Sequence, residues 1–147
     1  MNFKNVSELA KYINQQVLSK TLKEDVGEKL VRPKMKENIQ SEVYDVYEEP
    51  VVYERLKEHG GLLDDTNIIV DMVDNNTVSI ESRRMDDGRD VSVIVETGVG
   101  YNPEWLFPYT NKGRPFTEVT RDELRNDGSV EYAIIKGLKK LGIDTRK

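Results

Sequence analysis

Residues 48–68 read EEPVVYERLKEHGGLLDDTNI, and this stretch separates two regimes of hydrophobic periodicity. Pro50 has no N–H to donate and biases Glu49 away from the α region, so a helix is expected to end there. Gly60-Gly61 permits a tight corner. Leu62 and Leu63 follow at once, which predicts that the corner turns back into the core. The chain before this stretch has helical spacing, and the chain after it alternates as strands do.

Upstream, Asn5-Val6-Ser7-Glu8 is a helix start, with Asn5 as the cap, Glu8 as its reciprocal partner and Ser7 as a rival cap. The apolar series is Val6, Leu9, Ile13, Val17, then Leu22, Val26, Leu30 and Val31, then Met35, Ile39, Val43 and Val46. Steps of three and four predict one buried stripe on a long amphipathic helix. Gly27 and Pro33 interrupt it. A proline inside a helix costs about 3 kcal/mol, so the helix is expected to kink near Pro33 or to divide there into two.

Downstream, Ile68–Val73 is a strand, Asp74-Asn75-Asn76 a turn, and Thr77–Arg83 a strand with Val78 and Ile80 inward. Asp87-Gly88 is a hairpin signal. Val91–Val95 alternates as a third strand. Three to four strands then form an antiparallel meander. Gly98–Arg114 is a long loop carrying Tyr101, Trp105, Phe107 and Tyr109. Pro115-Phe116-Thr117 opens a helix through Asn126. Ser129 caps a last helix that ends at Gly142, with Lys136, Lys139 and Lys140 placed favourably for its dipole. The fold class is α+β: a long N-terminal helix, a meander and two C-terminal helices in a single domain, residues 1–147.

Of the 147 residues, 37% are apolar and 33% charged, with a formal net charge of −5 and no cysteine. Disulfides and thiolate metal sites are therefore excluded. No strong basic stripe marks a free-standing nucleic-acid binder. No apolar run approaches the roughly 18 residues of a membrane span, and the N-terminus lacks the apolar core of a signal peptide. Synthesis and assembly in the cytoplasm are expected.

Several constellations imitate sites. His59 is the only histidine, lies beside two glycines and has no nucleophile to serve. Asp64-Asp65 and Asp71/Asp74 lack the spacing of a calcium loop, and Asp65 or Thr66 is more simply a turn residue ahead of the first strand. Gly98-Val99-Gly100 lacks the third glycine and the lysine of a phosphate loop. Asp86-Asp87-Gly88-Arg89-Asp90 is a solvated hairpin tip, with partner docking as its minor reading. Aromatics are the usual anchors of interfaces. The candidate interaction residues are accordingly Tyr53, Arg55, Arg89, Tyr101, Trp105, Phe107 and Tyr109. No catalytic, cofactor-binding or metal-binding residue is assigned.

The residues also resemble a known family. Glu42–Asn67 holds a series of tyrosines, then Pro50, Tyr53, Arg55, Gly61-Leu62-Leu63-Asp64 and Asn67-Ile68. Glu96-Thr97-Gly98 follows, and Arg114-Pro115-Phe116-Thr117 opens the next helix. In this order they resemble the tail-component family of long-tailed bacteriophages and prophages, also described as tail-completion or head–tail joining proteins. The resemblance implies a structural, non-catalytic virion protein without cofactors, found in the neck or tail and assembled in the bacterial host cytoplasm. It implies a ring of copies, a hexamer by analogy, between head-completion and tail-tube proteins, with DNA only as passing cargo and no membrane partner. An acidic ring would repel that DNA during passage. The alternatives are a tail assembly factor absent from the virion, or a small metal-dependent hydrolase using Asp64, Asp71 or His59.

Overall fold

A computed structural model describes residues 2–46, 56–100 and 112–145. Helix α1 is one continuous helix of 39 residues, 6–44. Strands β1 (Ile68–Asp74) and β2 (Thr77–Ser82) form one antiparallel pair. Strands β3 (Met85–Asp86) and β4 (Arg89–Asp90) form a second. Helices α2 (Val91–Thr97), α3 (Phe116–Asn126) and α4 (Ser129–Lys140) complete the α+β fold. Contacts divide the chain into two compact units. The first comprises Met1–Arg32, Val70–Ile80 and Leu124–Lys147; the second comprises Pro33–Ile69 and Glu81–Glu123.

Asn5 caps α1 as expected, accepting the Glu8 N–H at 2.9 Å, while the Glu8 carboxylate takes the N–H of Lys4 at 2.8 Å. The helix does not divide at Pro33. Much of it is wound wider than an α-helix: Ile13–Leu18, Thr21–Val31 and Gln40–Tyr44 are π-helical, with i→i−5 bonds such as Arg32 N–H to Gly27 C=O. The buried positions explain why. Besides Gly27 and Asn38 they are Val17, Thr21, Val26, Val31, Met35, Ile39 and Val43, and the two steps of five in this stripe lie inside the π segment Thr21–Val31. On an α-helix, five residues at about 100° each end roughly 140° off the stripe. An i→i+5 ladder holds more residues per turn and brings such positions back onto one face. The return to α-helical bonding falls at Arg32, beside Pro33.

In the first unit, α1 packs closely on β1 and on α4. Gly27 lets the α1 backbone lie against Val70, since a Cβ there would collide with Val70 Cγ1. Gly137 of α4 does the same against Thr21. The Ser19 hydroxyl donates to the carbonyl of Asn75 in the β1–β2 turn at 2.7 Å. That turn is tied by Asp74, which accepts from Asn76 N–H and the Thr77 hydroxyl. Along β2, Val78 and Ile80 are half-buried while Ser79 is exposed. The start of α4 differs from the expected Ser129 cap: Asp127 accepts both the N–H and the hydroxyl of Ser129. Its end is as expected, with Gly142 at φ 85° and the Ile143 N–H bonded to Leu138 C=O.

In the second unit, Met35, Ile39, Val43, Leu62, Leu63, Ile68 and Phe116 are buried. Asp87 and Gly88, at φ 48° and 74°, make the two-residue turn of the β3–β4 hairpin. The expected third strand is corrected here: Val91–Val95 is helical, the first part of α2. Asp90 caps it, accepting from Ser92 N–H and Val93 N–H, and Gly98 closes it in the left-handed region. The capped ends override the β-preference of the valines, which is worth at most about 1 kcal/mol across its whole scale.

Candidate functional site

Two knots of hydrogen bonds in the second unit carry most of the residues behind the family resemblance. The first holds the glycine corner. Tyr44, in the last turn of α1, donates its hydroxyl to Leu56 C=O at 2.5 Å and accepts the Leu62 N–H at 3.3 Å. Arg84 Nε donates to Gly60 C=O at 2.8 Å, and Asn67 Nδ2 donates to Gly61 C=O at 2.8 Å. Gly61 must be glycine because a Cβ would overlap the carbonyl of Leu56. Asp64 closes the corner. Its carboxylate accepts Gly60 N–H at 2.7 Å, the Thr66 hydroxyl at 2.7 Å and Thr66 N–H at 2.9 Å. These donors, Gly60 first, hold its pKa down at about 2, because each bonds the charged form best. Leu62 and Leu63 are buried behind it, as the sequence predicted.

The second knot joins α2 to the start of α3. The Glu96 carboxylate accepts Thr117 N–H at 3.0 Å and the Thr117 hydroxyl at 2.6 Å. It thus caps α3 from a distance, where Pro115 offers no side-chain acceptor. Arg114 N–H bonds Val95 C=O at 2.9 Å, and Gly113 lies flat on the backbone of Glu96 and Thr97. The two short motifs, Glu96-Thr97-Gly98 and Arg114-Pro115-Phe116-Thr117, are therefore direct partners. Ser92, buried on α2, bonds the end of β2 and the residue ahead of β3 through Ser82 Oγ at 3.0 Å and Arg84 N–H at 2.9 Å. Deeper in the unit, Asn38 of α1 donates to Thr120 Oγ1 at 3.0 Å and Glu123 Oε2 at 2.8 Å.

Of the candidate interaction residues, Arg89 is exposed on β4. Tyr53, Arg55, Tyr101, Trp105, Phe107 and Tyr109 lie outside the described residues. The knots fix the roots of the stretches that carry them: Tyr44 and Leu56 flank residues 47–55, and Glu96 and Arg114 flank residues 101–111. Sequence reading missed Glu96, Arg84 and Asn38 as organising residues. Asn38 had a signal, a polar side chain one residue from the buried Ile39, and Glu96 stood in the Glu96-Thr97-Gly98 motif without its partner being readable; Arg84 had none.

The arrangement uses its polar groups structurally. Asp64 and Asp74 each accept a backbone N–H nearby, as turn residues do, and Asp71, within β1, accepts the N–H of Met72. Among the described residues, no three His, Asp or Glu side chains converge as metal ligands. No described helix is long and apolar enough to cross a membrane.

Comparison with known proteins places this geometry in a lineage. The chain is 32% identical over 145 residues to the SPbeta prophage-derived protein YomN of Bacillus subtilis (strain 168), covering 97% of this chain and 98% of that one. No solved structure matches it. The YomN family model matches residues 5–140, from the α1 cap to the end of α4, and the chain belongs to the YomN family.

Proposed function

We propose that this protein is a structural component of a phage particle encoded by a phage or prophage, a ring-forming subunit of the neck or of the head-proximal end of the tail. The observation that carries the reading is the placement of the resemblance residues. Glycine corner, Glu96 turn and Arg-Pro-Phe helix start are spent on fixing loop roots, which suits a part that presents surfaces to neighbours. The near end-to-end likeness to a prophage-derived protein supports a phage origin. No catalytic step is assigned. The neighbours would be copies of the chain and the head-completion and tail-tube proteins, with DNA as cargo.

The test is deletion of the gene followed by particle induction, electron microscopy and mass spectrometry of purified parental particles. The expected result is the chain in parental particles, and unjoined heads and tails in the deletion. A chain required for joining but absent from particles is an assembly factor. Infectious, fully joined particles from the deletion would refute both roles.

A further inference from the structure

Resting on that ring-subunit reading, we infer that copies of this chain join head to tail, the β3–β4 hairpin tip of one copy entering a lysine-rimmed groove of the next. The groove lies in the first unit, between α1 and α4, and has a volume of about 370 Å³. Leu30 and Ala133 contribute carbon to its lining. Tyr132 is 67% exposed, and Lys136 Nζ stands 5.9 Å from the centre of its ring. Lys29, Lys136 and Lys140 also line it. Among the described lining residues the one carboxylate is Asp25, already paired with Lys29 at 2.7 Å. This is a basic, carbon-lined recess on a chain whose formal net charge is −5.

Such a recess favours an apolar side chain flanked by carboxylates, and the hairpin tip has that chemistry. Met85 is 55% exposed, beside the exposed Asp86 and Asp87; Arg89, also exposed, stands across the ladder from Asp86, which leaves Asp87 at the turn as the carboxylate without a facing cation on the ladder. Arg84 reaches Asp86 at 3.7 Å but is held back by Gly60 C=O, with its side chain 20% exposed. Asp87 and Gly88 form a tight turn, and Met85 pairs with Asp90 across the ladder, so little order is lost on docking. Knob and recess are different surfaces, so the contact is heterologous and propagates from copy to copy.

The chain has no cysteine, so two single variants, Met85→Cys and Lys136→Cys, can be mixed in equal amounts under mild oxidation. The disulfide-linked heterodimer is expected in several-fold excess over either homodimer. In a second arm, a groove variant (Lys136→Glu with Lys140→Glu) and a tip variant (Asp86→Lys with Asp87→Lys) each lose self-association alone. Mixed, they give dimers that grow no further, since one intact tip meets one intact groove. Circular dichroism checks that each variant is folded. A heterodimer no more than twice either homodimer, the ratio random pairing gives, or a groove variant that self-associates as the parent does, would overturn the contact. Copy number per purified particle separates the two readings: several copies with no heterodimer preference sinks the contact alone, and a single copy sinks the ring as well.

Discussion

Replacing Gly137 by alanine sets two effects against each other. On an open helix face alanine gains about 1 kcal/mol over glycine. At this position the new Cβ would lie 2.5 Å from Thr21 Cγ2, 2.9 Å from Asp25 Oδ2 and 3.2 Å from Thr21 Oγ1. Comfortable carbon–carbon contacts begin at about 3.5 Å, so α4 must move off α1 by on the order of 1 Å. Neither neighbour yields readily. Thr21 is β-branched on a helix and 0% exposed, and Asp25 is held by Lys29 at 2.7 Å. Overpacking of this kind costs about 1–3 kcal/mol. With both neighbours held, the upper half of that range applies, and the net loss is about 1–2 kcal/mol. Urea unfolding followed by circular dichroism measures it, and the Tm falls by about 2–4 °C for each kcal/mol at this chain length. Thr21→Ala removes the colliding methyl together with a buried hydroxyl that has no hydrogen-bond partner among the described residues. The pair Thr21→Ala/Gly137→Ala therefore recovers stability relative to additivity by about 1 kcal/mol. A Gly137→Ala protein more stable than its parent, or a strictly additive pair, would refute this account of the helix contact.

Two further outcomes follow from the knots. The Asp64 carboxyl has its folded-state pKa lowered from 3.8 to about 2. Its contribution to stability is therefore present above the ordinary carboxylate range and is lost as pH falls through about 2. Carboxyl NMR should show Asp64 titrating near the bottom of that window, and Asp64→Asn should flatten the stability profile between the two values; a normal titration would contradict the hydrogen-bond assignment. Glu96→Ala removes the carboxylate that accepts the Thr117 N–H and hydroxyl and should cost about 1–2 kcal/mol as a lost cap. Faster amide exchange at Thr117 is the specific readout, Glu96→Gln should retain part of the protection, and unchanged exchange in Glu96→Ala would count against the cap.

The general architecture was legible because its cues are local. Asn5, the Asp87-Gly88 turn, Pro115 and Gly142 each act on their own few residues, and each sits where its chemistry placed it. Two readings went astray where local cues compete. Val91–Val95 alternates and is β-branched, yet Asp90 and Gly98 cap it at both ends, and Ser92 is drawn inward to Ser82 and Arg84. A strand would have placed Ser92 on the opposite face from Val91 and Val93, without that bonded burial. In α1 the expected period of three to four included Leu22 and Leu30, whereas the buried stripe steps from Thr21 to Val26 to Val31. A threonine in the core and a step of five are invisible to a template built on 3.6 residues per turn.

The site was legible in a different sense. Its motifs were recognisable as words before their connections were known, because a glycine or proline requirement is a backbone requirement. Gly61 is excluded from carrying a Cβ by the Leu56 carbonyl, and Gly113 by the backbone of Glu96 and Thr97. For Gly61 the constraint comes from the turn just before it, and for Gly113 from backbone seventeen residues earlier in sequence. A glycine that must touch backbone ties the two segments together more rigidly than a side-chain pair could, since it has no rotamer to adjust. Glu96 and Arg84 then add charge-assisted bonds to those same backbone junctions. The partners of such bonds are main-chain atoms, which have no residue identity to read, and this is why the knots could be found only in three dimensions. It also places the sensitive positions at those junctions: a Cβ at Gly61 or Gly113 would push backbone off backbone, which no change of side-chain rotamer can relieve.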